Sequence, residues 1–527
     1  MISGKNYIGK LLTAKGSTKF KTFNPLLNQH NTWEITEATI EEVHQAAELA
    51  AVAFKTYAQF SGKKKATFLR AIAEEIEVLG DSLLEMYCTE SGLPLGRAIG
   101  ERGRTLGQLN AFASHLETGD WVEATIDTAQ PERQPIPKVD LRKMNIALGP
   151  VVVFGASNFP LAFSTAGGDV AAALAAGCSV IVKSHPMHAS TGEMVASAVL
   201  KAAHKTGMPN GVFSNLNSKG NEVGEQLVLH PNVKAVGFTG SLHGGRALYN
   251  LAATRSEPIP VFAEMGSVNP VVLLPNALKN SAKNLAKTFA GSITLGAGQF
   301  CTNPGLIIGI ASKELTNFTK SLAEEIRQIA PICMLHPNIS KAFQTNKEKA
   351  LEQEGVSLIA AISEPVPPNY ADQMVITVSG LRFIKNPNLH HEVFGPFSLI
   401  IQCSDQTELE AVVRSLEGQL TGTVISDNNE VAAYTTVVNE LRQKVGRIIF
   451  NGVPTGVEVC PSMLHGGPYP ASTDSRFTAV GVDAIKRFVR PFSFQDWPNE
   501  LLPEELKNEN PLAILRTVNG IKTTKSL

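Results

Sequence analysis

Three residues have the chemistry of a nucleophile, a base and a hydrogen-bond donor: Cys301, Glu264 and Asn158. Cys301 lies among glycines and polar residues at positions 298–305, a composition typical of a loop rather than a core. An isolated cysteine is more often an inert small hydrophobic residue, so a structural role is the alternative interpretation. Read singly, each of the three has such an alternative, and their coincidence in one chain favours a shared site.

Glu264 and Asn158 each follow a short apolar segment. Glu264 comes after Val261 and Phe262, and a carboxylate that enters an apolar region is neutralised, paired or tuned for proton transfer. Asn158 follows a strand predicted at 151–154, and ligands of open α/β sheets bind beyond the carboxyl ends of strands. Its amide is therefore a candidate donor to an oxyanion, with a helix N-cap as the alternative interpretation.

Further residues lie at strand ends or in glycine-containing turns, where a dinucleotide would bind. A strand-end lysine suits ribose hydroxyls or a phosphate, and glycines before a helix N-terminus let the backbone approach a pyrophosphate. The candidates for cofactor binding are Lys183, Ser184, His185, Gly240, Ser241, Glu392 and Phe394. The alternative for the lysine is an ordinary surface position, and the glycine turn alone is a weak signal because it is not GxGxxG.

The elements that would position these residues change in type along the chain. The first part is predicted to be helical, beginning at a capping box formed by Thr39 and Glu42. From residue 149, short apolar strands alternate with helices, which predicts a parallel, doubly wound sheet. A second α/β segment is predicted at about 277–450. Residues 121–148 are predicted to leave the main body, and residues 486–498 to form an edge strand before a tail.

Length and composition exclude several classes of protein. The chain has 527 residues, 43% of them hydrophobic and 18% charged, which suggests two or three globular domains. Lysine plus arginine (47) nearly balances aspartate plus glutamate (48), which argues against nucleic acid or an anionic membrane as the main partner. The six cysteines form no CxxC pair, so no zinc finger or disulfide framework is expected. No signal peptide is visible, and we expect a cytoplasmic protein.

The order and spacing of these motifs resemble those of the aldehyde dehydrogenase superfamily, from about residue 23 to residue 498. The matching elements are SNFP, the strand-end lysine, FTGS, EMG, FCTNPG and EVFGP. Within the superfamily, AEMGSVNP, GQFCTNPG and HGGPYPAST look most like the α-ketoglutaric semialdehyde (2,5-dioxovalerate) dehydrogenases. The NADP-linked bacterial aldehyde dehydrogenases are the second choice.

The resemblance implies a role for each catalytic candidate. Cys301 would attack the aldehyde carbon as a thiolate, and the Asn158 amide with the Cys301 backbone N–H would hold the oxyanion. Hydride transfer to a nicotinamide would leave a thioester, which water activated by Glu264 would hydrolyse. Lys183 and Glu392 would hold the two riboses, Gly240 and the next residue would hold the pyrophosphate, and no metal would be needed.

The resemblance also implies an α/β aldehyde dehydrogenase-like fold with a Rossmann-type parallel sheet. A dinucleotide-binding domain would cover 1–120 and 147–265, and an α/β catalytic domain would cover 266–483. A small β oligomerisation arm would combine 121–146 with 484–498, followed by a C-terminal tail at 499–527. Such an arm implies a homodimer or a homotetramer, with a small aldehyde as the substrate and neither nucleic acid nor membrane as a partner.

One departure from the family bears on the cofactor. Many NAD-linked members carry a glutamate three residues after the strand-end lysine, where it binds the adenosine ribose. Pro186 stands at that position here. The carboxylate that would repel a 2′-phosphate is absent, while Ser184 and His185 offer phosphate donors, so we expect NADP as the cofactor and NAD as an additional acceptor.

The expected reaction is the oxidation of 2,5-dioxopentanoate (α-ketoglutaric semialdehyde) to 2-oxoglutarate. Arg104 aligns with a position that lines the aldehyde tunnel of relatives, so it would bind the distal carboxylate, and a surface arginine is the alternative. The predicted substrate contacts are Arg104, Gln108, Phe159, Phe163 and Phe300. Competing hypotheses are a long-chain or aromatic aldehyde, an acylating enzyme that uses coenzyme A, and a non-catalytic structural or binding protein. The presence of Cys301 and Glu264 argues against the last two.

Overall fold

The computed structural model describes residues 2–427 and 429–527. Its α-helices, in chain order, are α1 (Ile40–Tyr57), α2 (Gly62–Val78), α3 (Gly80–Ser91), α4 (Leu95–Thr118), α5 (Gly168–Ala176), α6 (Ala189–Lys205), α7 (Glu222–Leu229), α8 (Leu242–Ala253), α9 (Pro275–Thr294), α10 (Lys313–Gln328), α11 (Pro337–Leu351), α12 (Gly380–Lys385), α13 (Gln406–Ser415) and α14 (Thr435–Lys444). None of the helices in the described residues is long and apolar enough to cross a membrane.

The strands fall into two large sheets, a five-stranded sheet and three short pairs. Those in the first half are β1 (Asn6–Ile8), β2 (Leu11–Thr13), β3 (Lys19–Phe20), β4 (Phe23–Asn24), β5 (Gln29–His30), β6 (Ile35–Thr36), β7 (Thr125–Asp127), β8 (Leu141–Ala147), β9 (Val151–Phe154), β10 (Val180–Ser184), β11 (Phe213–Asn217), β12 (Ala235–Thr239) and β13 (Val261–Glu264). Those in the second half are β14 (Val271–Leu273), β15 (Leu306–Ile310), β16 (Ile332–Cys333), β17 (Ser357–Ala361), β18 (Tyr370–Ala371), β19 (Met374–Ser379), β20 (Phe397–Cys403), β21 (Gln419–Ile425), β22 (Val445–Phe450), β23 (Val489–Gln495), β24 (Arg516–Val518) and β25 (Ile521–Thr523).

The first large sheet has the order β13-β12-β9-β10-β11-β1-β2. The strands from β13 to β11 are parallel, and β1 and β2 add an antiparallel edge. Helices cover both faces: Val151 and Val153 pack with residues of α2, α5 and α6, whereas Val152 packs with α1 and α7. Coverage on both sides explains the nearly continuous apolar sequence of β9. The predicted parallel, doubly wound sheet is confirmed.

The second large sheet has the order β17-β19-β20-β15-β14-β21-β22. Its strands are parallel except β17, which pairs with β19 in the antiparallel sense. The chain crosses from the first sheet to the second between β13 and β14, so Glu264, the last residue of β13, lies at the junction. This crossing agrees with the boundary predicted at residue 265, although the division into domains remains a prediction.

The five-stranded sheet has the order β23-β8-β7-β24-β25. β8 lies in the segment predicted to leave the main body, and β23 is the predicted edge strand near residues 486–498. The segment 499–527, predicted as a tail, is instead folded: β24 pairs with β7 and β25 pairs with β24. Leu506, Ile514 and Arg516 are buried there, so these residues form part of the packed structure.

Candidate active site

Cys301 lies in a tight loop between α9 and β15. Before it, Gly296, Ala297 and Gly298 have φ values of 56°, 56° and 65°, in the left-handed region that favours glycine. A Cβ on Gly298 would lie 2.2 Å from the backbone carbonyl carbon of Gly395. Glycine is therefore required at position 298, because the two loops approach each other backbone to backbone.

The Asn269 side chain fixes the nucleophile loop through hydrogen bonds to its backbone. Its Nδ2 donates to the carbonyl oxygens of Cys301 and Asn303, each at 2.9 Å. Its Oδ1 accepts hydrogen bonds from the hydroxyls of Ser267 at 3.0 Å and Thr421 at 2.9 Å. With the amide fully used, the position of the Cys301 backbone is fixed before a substrate arrives.

Cys301, His465 and Glu264 form a compact group at the junction of the two sheets. The distance from Cys301 Sγ to His465 Nε2 is 3.4 Å, and that from His465 Nε2 to Glu264 Oε2 is 3.1 Å. The latter contact lacks hydrogen-bond geometry, so Glu264 Oε2 has no hydrogen-bond partner. Both Glu264 and His465 are 1% exposed. Burial, and secondarily Glu264, raises the pKa of the Cys301 thiol well above its usual value.

The structure thus brings together the predicted nucleophile and base, and it adds His465, which the sequence analysis missed. The histidine is 164 positions from Cys301, and a lone histidine has no spacing that would link it to a distant cysteine. Its only sequence signal was its place in the HGGPYPAST motif. One side-chain atom from each of Cys301, His465 and Glu264 lies within 4.8 Å of the other two. This spacing is compatible with metal coordination, and it also allows proton transfer among the three groups.

Asn158 lies in the loop after β9, facing the nucleophile loop. Its Nδ2 donates to the carbonyl oxygen of Gln299 at 3.1 Å, and Asn158 and Cys301 line the same cavity. A primary amide has a second N–H, so this contact leaves one donor. Asn158 is therefore suited to the predicted oxyanion role.

One face of α4 packs against the loop that carries Asn158. The residues at helical spacing on this face are Arg97, Glu101, Arg104 and Gln108. Glu101 is buried and its Oε1 accepts the backbone N–H groups of Leu161 and Ala162 at 2.8 and 3.0 Å. A buried carboxylate that binds two backbone amides fixes the loop relative to the helix.

Three aromatic rings form the apolar wall beside Cys301. Phe159 lies edge-to-face with Phe163 at 5.3 Å and with Phe300 at 5.7 Å between ring centroids. The guanidinium of Arg97 lies 4.4 Å from the Phe159 ring centroid and 4.5 Å from that of Phe300. The predicted aromatic substrate contacts are thus adjacent to one another and to the nucleophile loop.

Arg104 lies in the same wall, 5.2 Å from the ring centroid of Phe163 and 5.8 Å from that of Phe159. Its Nε and Nη2 are buried without a hydrogen-bond partner, as is Nε2 of Gln108. Burial lowers the pKa of Arg104, and the nearby Cys301 and Glu101 act in the opposite direction. The surface-arginine interpretation is wrong, because this guanidinium is buried against aromatic rings close to the nucleophile.

A cleft of about 930 Å³ runs from Cys301 along the carboxyl ends of the first sheet. Gly240, Ser241 and the first turn of α8 line it, and Ser241 caps this helix by accepting the Gly244 N–H at 3.2 Å. A Cβ on Gly240 would lie 2.7 Å from the Phe238 ring. A glycine followed by a helix N-terminus at the sheet edge fits the predicted pyrophosphate site.

Glu392 and Phe394 line the same cleft on the side of the second sheet. The Glu392 Oε2 atom would lie 2.5 Å from a Cβ on Gly266, so the glycine of the EMG motif makes room for this carboxylate. Burial raises the pKa of Glu392 to about 7, and Glu264 contributes in the same direction. Both residues therefore line the cleft that also contains Cys301 and Glu264, and their role in binding a cofactor stays a prediction.

The strand-end group at 183–185 is placed only partly as predicted. Lys183 Nζ donates to the Ser218 carbonyl at 3.0 Å, and burial lowers the pKa of Lys183 to about 8. Ser184 is 1% exposed and its Oγ faces Gly192 of α6. Neither Lys183 nor Ser184 is among the residues that line the cleft. Because the Ser184 hydroxyl points toward α6, the structure does not support it as a phosphate donor.

His185 is also less suited to a phosphate than predicted. Its Nδ1 accepts the Met187 N–H at 3.2 Å, and its ring stacks on that of His188 with 5.1 Å between centroids. Burial, together with His188 and Lys183, holds the pKa of His185 well below its usual range. The ring is therefore neutral, and it offers one remaining nitrogen rather than a positive charge.

Comparison with known proteins gives matches along nearly the whole chain. A family model described as the aldehyde dehydrogenase family matches residues 12–478. An alpha-ketoglutaric semialdehyde dehydrogenase of Acinetobacter baylyi is 46% identical over 527 residues, covering 99% of each chain. Alpha-ketoglutaric semialdehyde dehydrogenase 2 of Azospirillum brasilense is 46% identical, covering 98% of this chain and 99% of the relative.

Solved structures with the same fold are more distant in sequence. Betaine aldehyde dehydrogenase of Staphylococcus aureus in complex with NAD+ has a TM-score of 0.80 at 19% identity, covering 94% of this chain and 96% of that one. Methylmalonate-semialdehyde dehydrogenase of Oceanimonas doudoroffii also has a TM-score of 0.80, at 18% identity, covering 94% and 99%. These matches confirm the predicted fold.

Proposed function

The chain belongs to the aldehyde dehydrogenase family, and from this premise we propose that it oxidises α-ketoglutaric semialdehyde (2,5-dioxopentanoate) to 2-oxoglutarate. The observation that carries the substrate assignment is Arg104, a buried guanidinium with two unpartnered nitrogens in an aromatic wall near Cys301. A buried unpaired charge is costly, and a substrate carboxylate would neutralise it. The two relatives with 46% identity carry the corresponding name.

The first chemical step is attack of Cys301 on the aldehyde carbon. Because burial raises the pKa of the thiol, few molecules hold a thiolate at neutral pH, and a base is needed at the moment of attack. His465 Nε2, at 3.4 Å from Sγ, is placed to take that proton. The product is a thiohemiacetal whose oxyanion accepts the second N–H of Asn158 and the Cys301 backbone N–H.

The second step leaves an acyl group on Cys301 as a thioester. A nicotinamide bound in the cleft supplies the hydride acceptor. Glu264 then acts as general base on the water that hydrolyses the thioester. Its Oε2 has no hydrogen-bond partner and is therefore free to accept a proton from water. The compact arrangement of Cys301 and Glu264 favours a hydrolytic enzyme over an acylating one and over a non-catalytic protein.

The cleft fits a nicotinamide dinucleotide. Gly240 and the N-terminus of α8 would hold the pyrophosphate, and Glu392 and Lys183 would hold the two riboses. We propose NADP as the preferred form, supported by Pro186 in place of the family's glutamate. Another carboxylate, Glu37, lies close enough to Lys183 to act on its pKa. Its Oε1 already accepts hydrogen bonds from the Ser218 hydroxyl and two backbone N–H groups, so this oxygen does not take the place of the family's glutamate.

We also propose an assembly and a location for the protein. The five-stranded sheet of β7, β8 and β23–β25 would pair two copies of the chain as a homodimer, and two such dimers would form a homotetramer. Phe492 and Trp497 are exposed on or beside β23, and apolar side chains at a sheet edge favour contact with a second copy. We propose a cytoplasmic location.

The experiment that tests the substrate is a panel of three five-carbon aldehydes and one aromatic aldehyde, each assayed with NAD and with NADP. The five-carbon set contains α-ketoglutaric semialdehyde, glutaric semialdehyde and pentanal, and benzaldehyde represents the aromatic class. We expect the highest kcat/KM for the 2-oxo acid. The aromatic wall of Phe159, Phe163 and Phe300 favours an apolar aldehyde as the second candidate, and a preference for pentanal or benzaldehyde would establish that alternative.

A further inference from the structure

A second arginine, Arg447 on β22, faces the nucleophile loop from the second sheet. Arg447 is paired in register with Thr421 of β21, and paired residues of neighbouring strands project from the same face. The Thr421 hydroxyl donates to Asn269, whose amide holds the Cys301 carbonyl. Arg447 therefore projects toward the layer that contains Cys301. Burial lowers the pKa of Arg447, and Cys301 is close enough to act on this pKa in the opposite direction.

The Arg447 guanidinium is buried at its tip but has little to bind. Nη1 contacts Met463 Sδ at 3.4 Å, a weak acceptor. Nε and Nη2 are buried without a hydrogen-bond partner. Met463 packs against the apolar cluster that includes Phe159 and Phe163. Arg447 contacts this cluster through Met463, and Arg104 contacts it through the two phenylalanine rings.

The other buried arginines of the structure have acceptors. Arg487 pairs with Asp169 at 2.8 Å, and Arg516 donates to three backbone carbonyls. Within residues 2–427 and 429–527, Arg104 and Arg447 are the arginines that leave two buried nitrogens without an acceptor. In both, these nitrogens are Nε and Nη2, the two donors along one side of the guanidinium plane. This edge binds two neighbouring oxygens in bidentate fashion.

We propose that Arg104 and Arg447 together bind the 2-oxo acid end of the substrate, with Arg104 on the carboxylate and Arg447 on the 2-oxo group. A plain carboxylate offers one pair of oxygens, which satisfies one guanidinium edge. A 2-oxo acid offers a second pair, formed by the ketone oxygen and the nearer carboxylate oxygen. The proposal rests on the proposed function, and it makes Arg447 the residue that distinguishes a 2-oxo acid from a simple acid of equal length.

The test compares wild type with Arg447→Met on the three five-carbon aldehydes of the panel. Loss of a charge-assisted bidentate contact should lower kcat/KM for the 2-oxo acid by about ten- to a hundredfold, mainly through KM. Glutaric semialdehyde keeps its contact with Arg104, so its kcat/KM should fall by about tenfold less than that of the 2-oxo acid. The kcat/KM for pentanal should not change. Arg442→Met, at an exposed position on α14, is the matched control and should leave all three values unchanged.

A binding measurement keeps the test independent of turnover. In the Cys301→Ala background, calorimetry should show that Arg447→Met and Arg447→Gln weaken the binding of 2-oxoglutarate more than the binding of glutarate. Equal weakening of both acids would assign Arg447 to the carboxylate and overturn the proposal. The proposal would also be overturned if wild type prefers the 2-oxo acid semialdehyde to glutaric semialdehyde and the Arg447 variants keep the same preference. A wild type with no preference for the 2-oxo acid over pentanal would instead defeat the proposed function.

Discussion

Replacement of His465 by asparagine tests whether the imidazole removes the Cys301 proton. Nε2 lies 3.4 Å from Sγ, within reach of the thiol, and asparagine keeps a polar side chain without a base. General-base assistance is worth roughly 10²–10⁴ in rate, or about 2.7–5.4 kcal/mol of activation free energy at 1.36 kcal/mol per tenfold. We expect His465→Asn to slow acylation at neutral pH by roughly a hundredfold or more.

The pH dependence of the variant distinguishes lost base catalysis from a general disturbance. Burial and Glu264 raise the pKa of the Cys301 thiol, so the thiolate fraction at neutral pH is small. Below that pKa, the fraction rises about tenfold for each pH unit. Without the histidine the acylation rate should follow this fraction and increase with pH, whereas the wild-type profile should be flatter.

The assay is stopped-flow measurement of the first turnover, in which reduced cofactor reports formation of the thioester. His204→Asn is the control, because His204 is an exposed histidine on α6 with no contact to the site. Wild-type acylation in His465→Asn at neutral pH would refute the assignment. A deficit that does not shrink as pH rises would refute it too, and would indicate that His465 only maintains packing against Phe163, 6.3 Å away.

Three further predictions concern other parts of the site. Glu264→Gln should slow deacylation more than hydride transfer, so a stoichiometric burst of reduced cofactor should precede slow turnover; a slow first turnover without a burst would assign Glu264 to thiol activation. Wild type should use NADP at least as well as NAD, and Pro186→Glu should shift the ratio of the two kcat/KM values toward NAD by repelling the 2′-phosphate; a strong wild-type preference for NAD would contradict this. Arg104→Met should cost the acidic semialdehydes roughly 1.5–3 kcal/mol of transition-state binding while sparing pentanal, and equal losses on acidic and neutral aldehydes would show that Arg104 does not bind the carboxylate.

The parts of the fold that could be predicted from sequence are those that depend on neighbouring residues. The Thr39–Glu42 capping box is an example: the Glu42 N–H donates to Thr39 Oγ1 at 3.1 Å, and the Thr39 N–H to Glu42 Oε2 at 2.8 Å. Both bonds span three residues, so the sequence contains them completely. The apolar strands β9 and β10 were predicted for a related reason, since a strand buried on both faces is apolar throughout.

Two parts of the fold that depend on distant partners, the hairpin β1–β2 and the folded segment 499–527, were not predicted. The hairpin β1–β2 is two three-residue strands, too short for a clear alternation, and it is held by pairing with β11 some 200 positions away. Likewise Arg516 is polar and charged, which predicts an exposed tail, yet it is buried because three backbone carbonyls accept its donors. Long-range hydrogen bonds decide both cases, and local composition does not contain them.

The same distinction divides the site itself. Cys301, Glu264 and Asn158 stand in motifs, so their chemistry could be inferred from the chain, whereas Arg447 acquires its place from strand register. Register pairs Thr421 with Arg447 and Gly422 with Ile448. A shift of β22 by one residue would turn Arg447 to the opposite face and present Ile448 toward the Cys301 loop. The pocket would then keep its nucleophile and lose a charge. In the proposed site, specificity for the acid end of the substrate would therefore depend on the pairing of β21 with β22.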